Sequence, residues 1–288
     1  MLRSLLLRKA TSDWQKSLGM KTVATSDIVG HFPASVSQAE LIDALHDIDS
    51  IIISGEIAKN SAGTIASIVR LPTQPIFIKR VNHKSKKLHH LFRYMLVPSR
   101  GYVNAIAASR LEKHGIPTPH IYGAAERRHY GLLTHSFIFA EPITNAIEVS
   151  EYLVTNSSAP PQLYELLSLL GSFIKKIHLC GLYHGDLKLS NLYFQNNKLG
   201  VWDLDGIQLF KTLPSSKYIE RDLGRALSSF LISIDKNPTF TQTKINISDV
   251  LSIFCTAYDM EGLCASHIFK DLKTYWLRKN ELEHFVLE

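Results

Sequence analysis

The chain has 288 residues, 45% of them apolar and 20% charged, with 15 Gly and 11 Pro. That composition belongs to a globular protein with a sizeable core and argues against a disordered or collagen-like chain. Lys plus Arg number 32 and Asp plus Glu 26, a formal charge of +6 that suits an acidic partner: nucleic acid, a phosphorylated ligand or anionic lipid.

Residues 1–21 are basic and partly apolar, but the continuous apolar run is only Leu5-Leu6-Leu7, too short for a signal peptide. Nowhere do the ~18 consecutive apolar residues of a membrane span occur. Leu2, Leu6, Ala10, Trp14 and Leu18 recur every four residues and would form one apolar stripe on a helix. The stripe admits two readings, a helix lying on an anionic membrane surface or a helix packed on the body of the protein. Ser37-Gln38-Ala39-Glu40 has capping-box spacing, which predicts a short helix from about Gln38 to Asp47. Residues 1–49 are therefore expected to form an N-terminal helical extension.

From Ser50 the character changes. Ile51-Ile52-Ile53 opens a β-branched run, 58–63 is small and polar like a turn, and 64–71 is again β-rich. After a second turn at 72–75 comes Ile76-Phe77-Ile78-Lys79-Arg80-Val81. Three antiparallel strands are the simplest arrangement. Lys79 ends an apolar strand and reads either as a phosphate-binding lysine or as an edge-strand lysine with its head in water. The segment 82–100 is the densest basic patch, with Lys84, Lys86, Lys87, Arg93 and Arg100 among histidines and aromatics. It reads equally as an anionic-ligand surface or a solvated helix face. Val103, Ile106, Ala107 and Leu111 predict a helix over 102–114, stopped by Gly115 and by Pro117 and Pro119. Phe137 to Pro142 reads as a strand running into a connector.

Leu163, Leu166, Leu167, Leu170, Phe173, Ile174 and Ile177 mark a long helix that starts at Pro160-Pro161 and stops at Gly181. The three cysteines, Cys180, Cys255 and Cys264, are odd in number and lack metal-ligand spacing, which fits a reducing compartment. After the helix comes His184-Gly185-Asp186-Leu187-Lys188-Leu189-Ser190-Asn191, then a hairpin over 192–202 whose far end carries Asp203-Leu204-Asp205-Gly206. The chemistry of this assembly is phosphoryl transfer, which needs a carboxylate near the attacking hydroxyl, oxygen ligands for Mg²⁺ and cations around the phosphates. Asp186 is the candidate base, Asn191 and Asp203 the candidate metal ligands, and Lys188 a cation pointing the same way as Asp186. Two helical stretches are expected after Asp235, near 248–259 and 264–284.

The segment Ile177-His178-Leu179-Cys180-Gly181-Leu182-Tyr183-His184-Gly185-Asp186 resembles the protein-kinase-like superfamily. Within it, His184-Gly185-Asp186-Leu187, Ser190-Asn191, Trp202-Asp203-Leu204-Asp205, residues 115–119 and Arg221-Asp222-Leu223 are most similar to the bacterial lipopolysaccharide core (Kdo/heptose) kinases. The resemblance covers roughly residues 50–235. It implies an α+β, bilobal protein-kinase-like fold with a small antiparallel-sheet N-lobe (50–141) and a mainly helical C-lobe (142–288). It further implies ATP and Mg²⁺ as cofactors and a sugar hydroxyl of a glycolipid as acceptor. On this resemblance Lys79 contacts the α- and β-phosphates, and residues 58–63, with Lys59 and Gly63, cover the nucleotide. Phe139 to Pro142, with Phe139 and Glu141, form the hinge that meets adenine.

Two positions depart from the pattern. The residue matching the lysine-pairing glutamate is Asn104, and the glycine-rich loop is reduced to Gly63. Only nineteen residues separate Asp203 from Asp222 and no A-P-E follows, which disfavours a protein acceptor. The alternatives are a small-molecule, aminoglycoside-like kinase and a pseudokinase acting as a binding module. The expected partners are ATP, a glycolipid or small sugar and an anionic membrane surface, with no nucleic acid. The expected location is cytoplasmic, at the inner face of the inner membrane.

Overall fold

The computed structural model of the chain describes residues 2–34, 38–71, 74–83, 98–156, 160–235, 245–260 and 285–286. It divides into two compact units, Met1–Glu112 with Pro119–Thr144, and Lys113–Thr118 with Asn145–Glu288.

The first unit is built on one antiparallel sheet. Its strands are β1 (Met20–Ala24), β2 (Ile28–Pro33), β3 (Glu56–Ser61), β4 (Thr64–Arg70), β5 (Pro75–Asn82), β6 (Ile121–His129) and β7 (Leu132–Ala140). Their spatial order is β1-β2-β6-β7-β5-β4-β3. Helices α1 (Leu2–Ser17), α2 (Gln38–His46), α3 (Ile48–Ser54) and α4 (Arg100–Lys113) accompany it.

Strand alternation gives the sheet two faces. Phe32 of β2, Ile76 and Ile78 of β5, and Phe137 and Phe139 of β7 share one face and are buried with Leu45, Ile48 and Ile52 from α2 and α3. Burying each such side chain contributes about 1.5–3 kcal/mol. Asp49 ties α3 down further by accepting hydrogen bonds from Arg80 and from Arg127, the latter at 2.6 Å. Partial burial pushes the Asp49 carboxyl up, but the two guanidinium groups outweigh it and hold it below the ordinary carboxylate value. Lys79, paired with Ala66 and Ile138, belongs to the opposite face. The same face carries His31, whose Nδ1 lies 2.5 Å from the Tyr102 hydroxyl of α4. Trp14 of α1 meets Tyr102 edge-on, 6.1 Å between ring centroids.

Several sequence expectations change here. The segment 1–49 is not wholly helical: β1 and β2 extend the sheet through β6. Ile51-Ile52-Ile53 lies in helix α3, not in a strand. Ile48 and Ile52, four apart, are fully buried on one helix face, whereas Ile53 is 65% exposed. Core burial overrides the β preference of a β-branched triplet. The expected turn at 58–63 is mostly strand β3, and the chain reverses at Ala62-Gly63. Of the apolar stripe, Trp14 is 4% exposed and packs on the protein, while Leu18 is 44% exposed. The basic segment 84–97, Ser37 of the capping box and the expected helix 264–284 lie outside the described residues.

The second unit contains α5 (Val149–Asn156), α6 (Pro160–Leu179), α7 (Ser216–Asp235) and α8 (Ile247–Tyr258). It also contains the short strands β8 (Ile147–Glu148), β9 (Leu182–Tyr183), β10 (Leu192–Gln195), β11 (Lys198–Val201) and β12 (Gln208–Leu209). The predicted long helix is α6, and it packs closely on α8. A Cβ on Gly171 would come 2.6 Å from the Phe254 carbonyl oxygen, so only glycine permits this approach. The β10–β11 hairpin turns through Asn196 and Asn197, both with positive φ, as a two-residue hairpin loop requires. β8 adds to the free edge of β10, and β12 pairs with β9.

Candidate active site

The loop from His184 to Asn191 joins β9 to β10. It is held from beneath by a buried carboxylate. Asp222 of α7, 1% exposed, accepts the His184 N–H at Oδ2 (2.7 Å) and the Gly185 N–H at Oδ1 (2.9 Å). His178 of α6, fully buried, places Nε2 3.2 Å from Asp222 Oδ2 and Nδ1 2.7 Å from the Tyr258 hydroxyl of α8. Three helices thus converge on two backbone amides of the loop.

Gly185 has φ +83°, and a Cβ there would come 2.7 Å from the Gly206 carbonyl oxygen. The loop and the segment after Asp203 touch backbone to backbone, so no side chain fits where many protein kinases carry arginine. His184 bridges the same two segments. The Asp186 N–H donates to His184 Nδ1 (3.3 Å), so Nε2 carries the proton and donates to the Trp202 carbonyl (3.2 Å). Burial lowers the imidazole's affinity for a second proton, against the opposing charges of Asp222, Asp203 and Asp186.

This has a measurable consequence. The unfolded imidazole titrates near ~6.5, so below that pH the unfolded chain binds a proton that the native site refuses. His184 therefore contributes stability that is fully present above ~6.5 and declines as pH falls toward the lowered native value. Urea midpoints should drop between pH 7 and pH 5. His184→Asn should flatten that part of the profile; an unchanged pH dependence in the variant would contradict the assignment.

Above this base sit the polar groups. Asn191 donates its amide Nδ2 to the Asp186 carbonyl (2.7 Å) and to Asp186 Oδ2 (3.3 Å). Lys188 Nζ lies 3.5 Å from Asp186 Oδ2. Asn191 precedes β10 and Asp203 follows β11, and Leu192 pairs with Val201, so both residues stand at the same end of the hairpin. The Trp202 N–H donates to the Asn191 carbonyl (3.1 Å) and locks that end. Asp203 itself has φ 52° and ψ 61°, a left-handed backbone that an aspartate tolerates at a cost of about 1–2 kcal/mol.

The second unit therefore brings together Asp186, Lys188, Asn191 and Asp203. The remaining expected residues lie in the first unit. Lys79 is 7% exposed on β5 and Asn104 3% exposed on α4. Lys59 is exposed within β3, opposite Ala66, and Gly63 sits at the reversal, its carbonyl accepting the Asn82 N–H at 2.8 Å. Phe139 is a core residue, its ring 5.0 Å from that of Phe32, and its side chain is unavailable to a ligand. Glu141 is exposed just beyond β7, with its N–H donated to the His120 carbonyl.

Sequence reasoning did not single out Arg225. Its Nη1 donates to Asp186 Oδ1 (2.8 Å) and to the Gly185 carbonyl (2.7 Å). Nothing local announces that contact. Asp222 did carry a signal, a carboxylate lying among Ile219, Leu223, Ala226 and Leu227 on the buried side of α7.

An antiparallel sheet followed by a mainly helical unit, with this loop and hairpin, defines a protein-kinase-like fold. The solved structure described as WaaP in complex with acyl carrier protein aligns at TM-score 0.55 and 19% identity, over 83% of this chain and 92% of that one. The PknI kinase domain of M. tuberculosis aligns at 0.45 and 13%, over 76% and 94%. The profile of the lipopolysaccharide kinase (Kdo/WaaP) family matches residues 76–254, and the chain belongs to that family; it is a kinase. No curated protein sequence matches the chain.

Proposed function

We propose that the protein transfers the γ-phosphate of ATP to a sugar hydroxyl of the lipopolysaccharide inner core. The observation that carries this reading is the loop geometry, with Asp186, Lys188 and Asn191 fixed on one rigid turn beside Asp203. In the reaction the acceptor hydroxyl oxygen attacks the γ-phosphorus and the bond to the β-phosphate oxygen breaks. The hydroxyl proton passes to an Asp186 carboxylate oxygen, and ADP leaves. Lys188 stands beside that carboxylate, where it offsets charge on the phosphoryl group in transfer. Lys79 takes the α- and β-phosphates, with Asn104 in place of the usual glutamate. The resemblance further assigns Lys59, Gly63 and the segment around Glu141 to nucleotide binding.

The donors at the hairpin end fit Mg²⁺. Asn191 spends its amide hydrogens on Asp186 and keeps its carbonyl oxygen, and Asp203 adds a carboxylate, giving the oxygen ligands this ion prefers. Bound there, Mg²⁺ neutralises phosphate charge. An inner-core acceptor places the work at a membrane surface; among the described residues no helix is long and apolar enough to cross one.

The test is incubation of the full chain with Mg-ATP and deacylated inner-core oligosaccharide. A mass gain of one phosphate is expected. Absence of product together with absence of ATP-induced thermal stabilisation would reduce the protein to a non-catalytic relative.

A further inference from the structure

Helix α7 places Lys217, Arg221 and Arg225 at four-residue spacing, on one face of the helix. All three are exposed, whereas Ile219, Asp222, Leu223, Ala226 and Leu227 bury the other side. The row is about 12 Å long at 1.5 Å per residue. Among the described residues Lys217 and Arg221 make no ion pair, and the acidic neighbour on the helix, Glu220, is half-buried and engaged in an interaction of its own. The row ends at the proposed chemistry, because Arg225 touches Asp186. Lys188 stands on the other oxygen of the same carboxylate. Two cations therefore surround one carboxylate, and two more lead toward it.

Arg225 uses a single nitrogen for both of its contacts. The other guanidinium donors have no hydrogen-bond partner among the described residues. Its ion pair with Asp186 is close to half-exposed on both sides, 47% and 42%, so exchanging that partner costs little. An acceptor hydroxyl that donates to Oδ1 of Asp186 shares or takes over the oxygen that Arg225 now occupies. A guanidinium released there matches a carboxylate or phosphate through two parallel hydrogen bonds. A cationic, aminoglycoside-like acceptor would instead meet like charge along the whole row.

We infer that the Lys217–Arg221–Arg225 face of α7 is the acceptor-binding track, and that Arg225 reads an anionic group beside the hydroxyl to be phosphorylated. The inference rests on the sugar-kinase reading above and adds which residues select the acceptor, and by what charge.

Calorimetric titration of the full chain tests it without nucleotide. The probes are deacylated inner-core oligosaccharide, the same material with carboxyls reduced to alcohols, the same material dephosphorylated, and a cationic aminoglycoside. Stripping the anion that is read, carboxylate or phosphate, should weaken binding about tenfold or more, and the aminoglycoside should bind weakest. Lys217→Glu with Arg221→Glu should cost a similar factor for the anionic oligosaccharide and flatten its salt dependence. Lys217→Gln with Arg221→Gln should lie between. Arg225→Lys should retain more affinity than Arg225→Gln. The track is overturned if wild type does not bind the anionic oligosaccharide, if charge-stripped forms bind equally well, if the paired variants bind like wild type, or if the aminoglycoside binds tighter. A parallel Mg-ATP assay separates the two readings. Binding as expected with no phosphorylated product refutes the kinase reading alone. Product formation with the same acceptor KM in wild type and the charge-reversed variant refutes the track alone.

Discussion

Asp186→Ala is expected to slow phosphate transfer by a factor of about 10²–10⁴, the usual contribution of a positioned general base, while ATP continues to raise the melting temperature. The geometry predicts this separation. Asp186 is 42% exposed, and its ionic partners Arg225 and Lys188 are 47% and 46% exposed. Truncating the carboxylate leaves them in water, at a cost to folding of no more than about 1 kcal/mol. Asn191 loses its 3.3 Å contact but keeps the 2.7 Å bond to the Asp186 backbone carbonyl, so the donors proposed for Mg²⁺ stay in place. Single-turnover transfer and thermal shift with Mg-ATP check the two halves. Transfer within a few-fold of wild type would remove Asp186 from the chemistry. Loss of ATP stabilisation would mean that it holds the site together instead.

Asp222→Ala should show the reverse pattern, a large loss of stability from a residue that touches no reactant. Its carboxylate serves the buried amide of His184, the partly buried amide of Gly185 and the buried ring of His178. Each buried group left without a partner costs about 1–3 kcal/mol, so a loss of about 3–5 kcal/mol is expected. Asp222→Asn is the sharper variant because it keeps the shape. Only one of its two end atoms can accept, so its NH₂ must face an N–H, and the loss should exceed about 1 kcal/mol. Urea unfolding measures both. An asparagine variant as stable as wild type would mean that the carboxylate is not the anchor of the loop.

The candidate site was legible in the amino-acid sequence because it is compact along the chain. Asp186, Lys188, Asn191 and Asp203 fall within eighteen residues, the first three between a strongly amphipathic helix and a hairpin with a two-residue loop, the last just beyond that hairpin. Local preferences alone bring such elements together. The same local patterns also gave α2, α4, α6, α8 and strands β4, β5 and β7.

Other features needed the folded chain. Arg225 and Asp222 reach the loop from 39 and 37 residues away, and no local spacing connects them to it. Strands β1 and β2 join the sheet through β6, pairing Ile28 with Arg127 across most of the first unit. Ile51 to Ile53 became helical because Ile48 and Ile52 had a core to enter. The sequence by itself determined which groups are the candidates for the proposed chemistry, since their spacing is set by near neighbours. Only the tertiary structure decided what anchors the loop from His184 to Asn191 and which charges face the Asp186 carboxylate, because burial and long-range pairing depend on the whole chain.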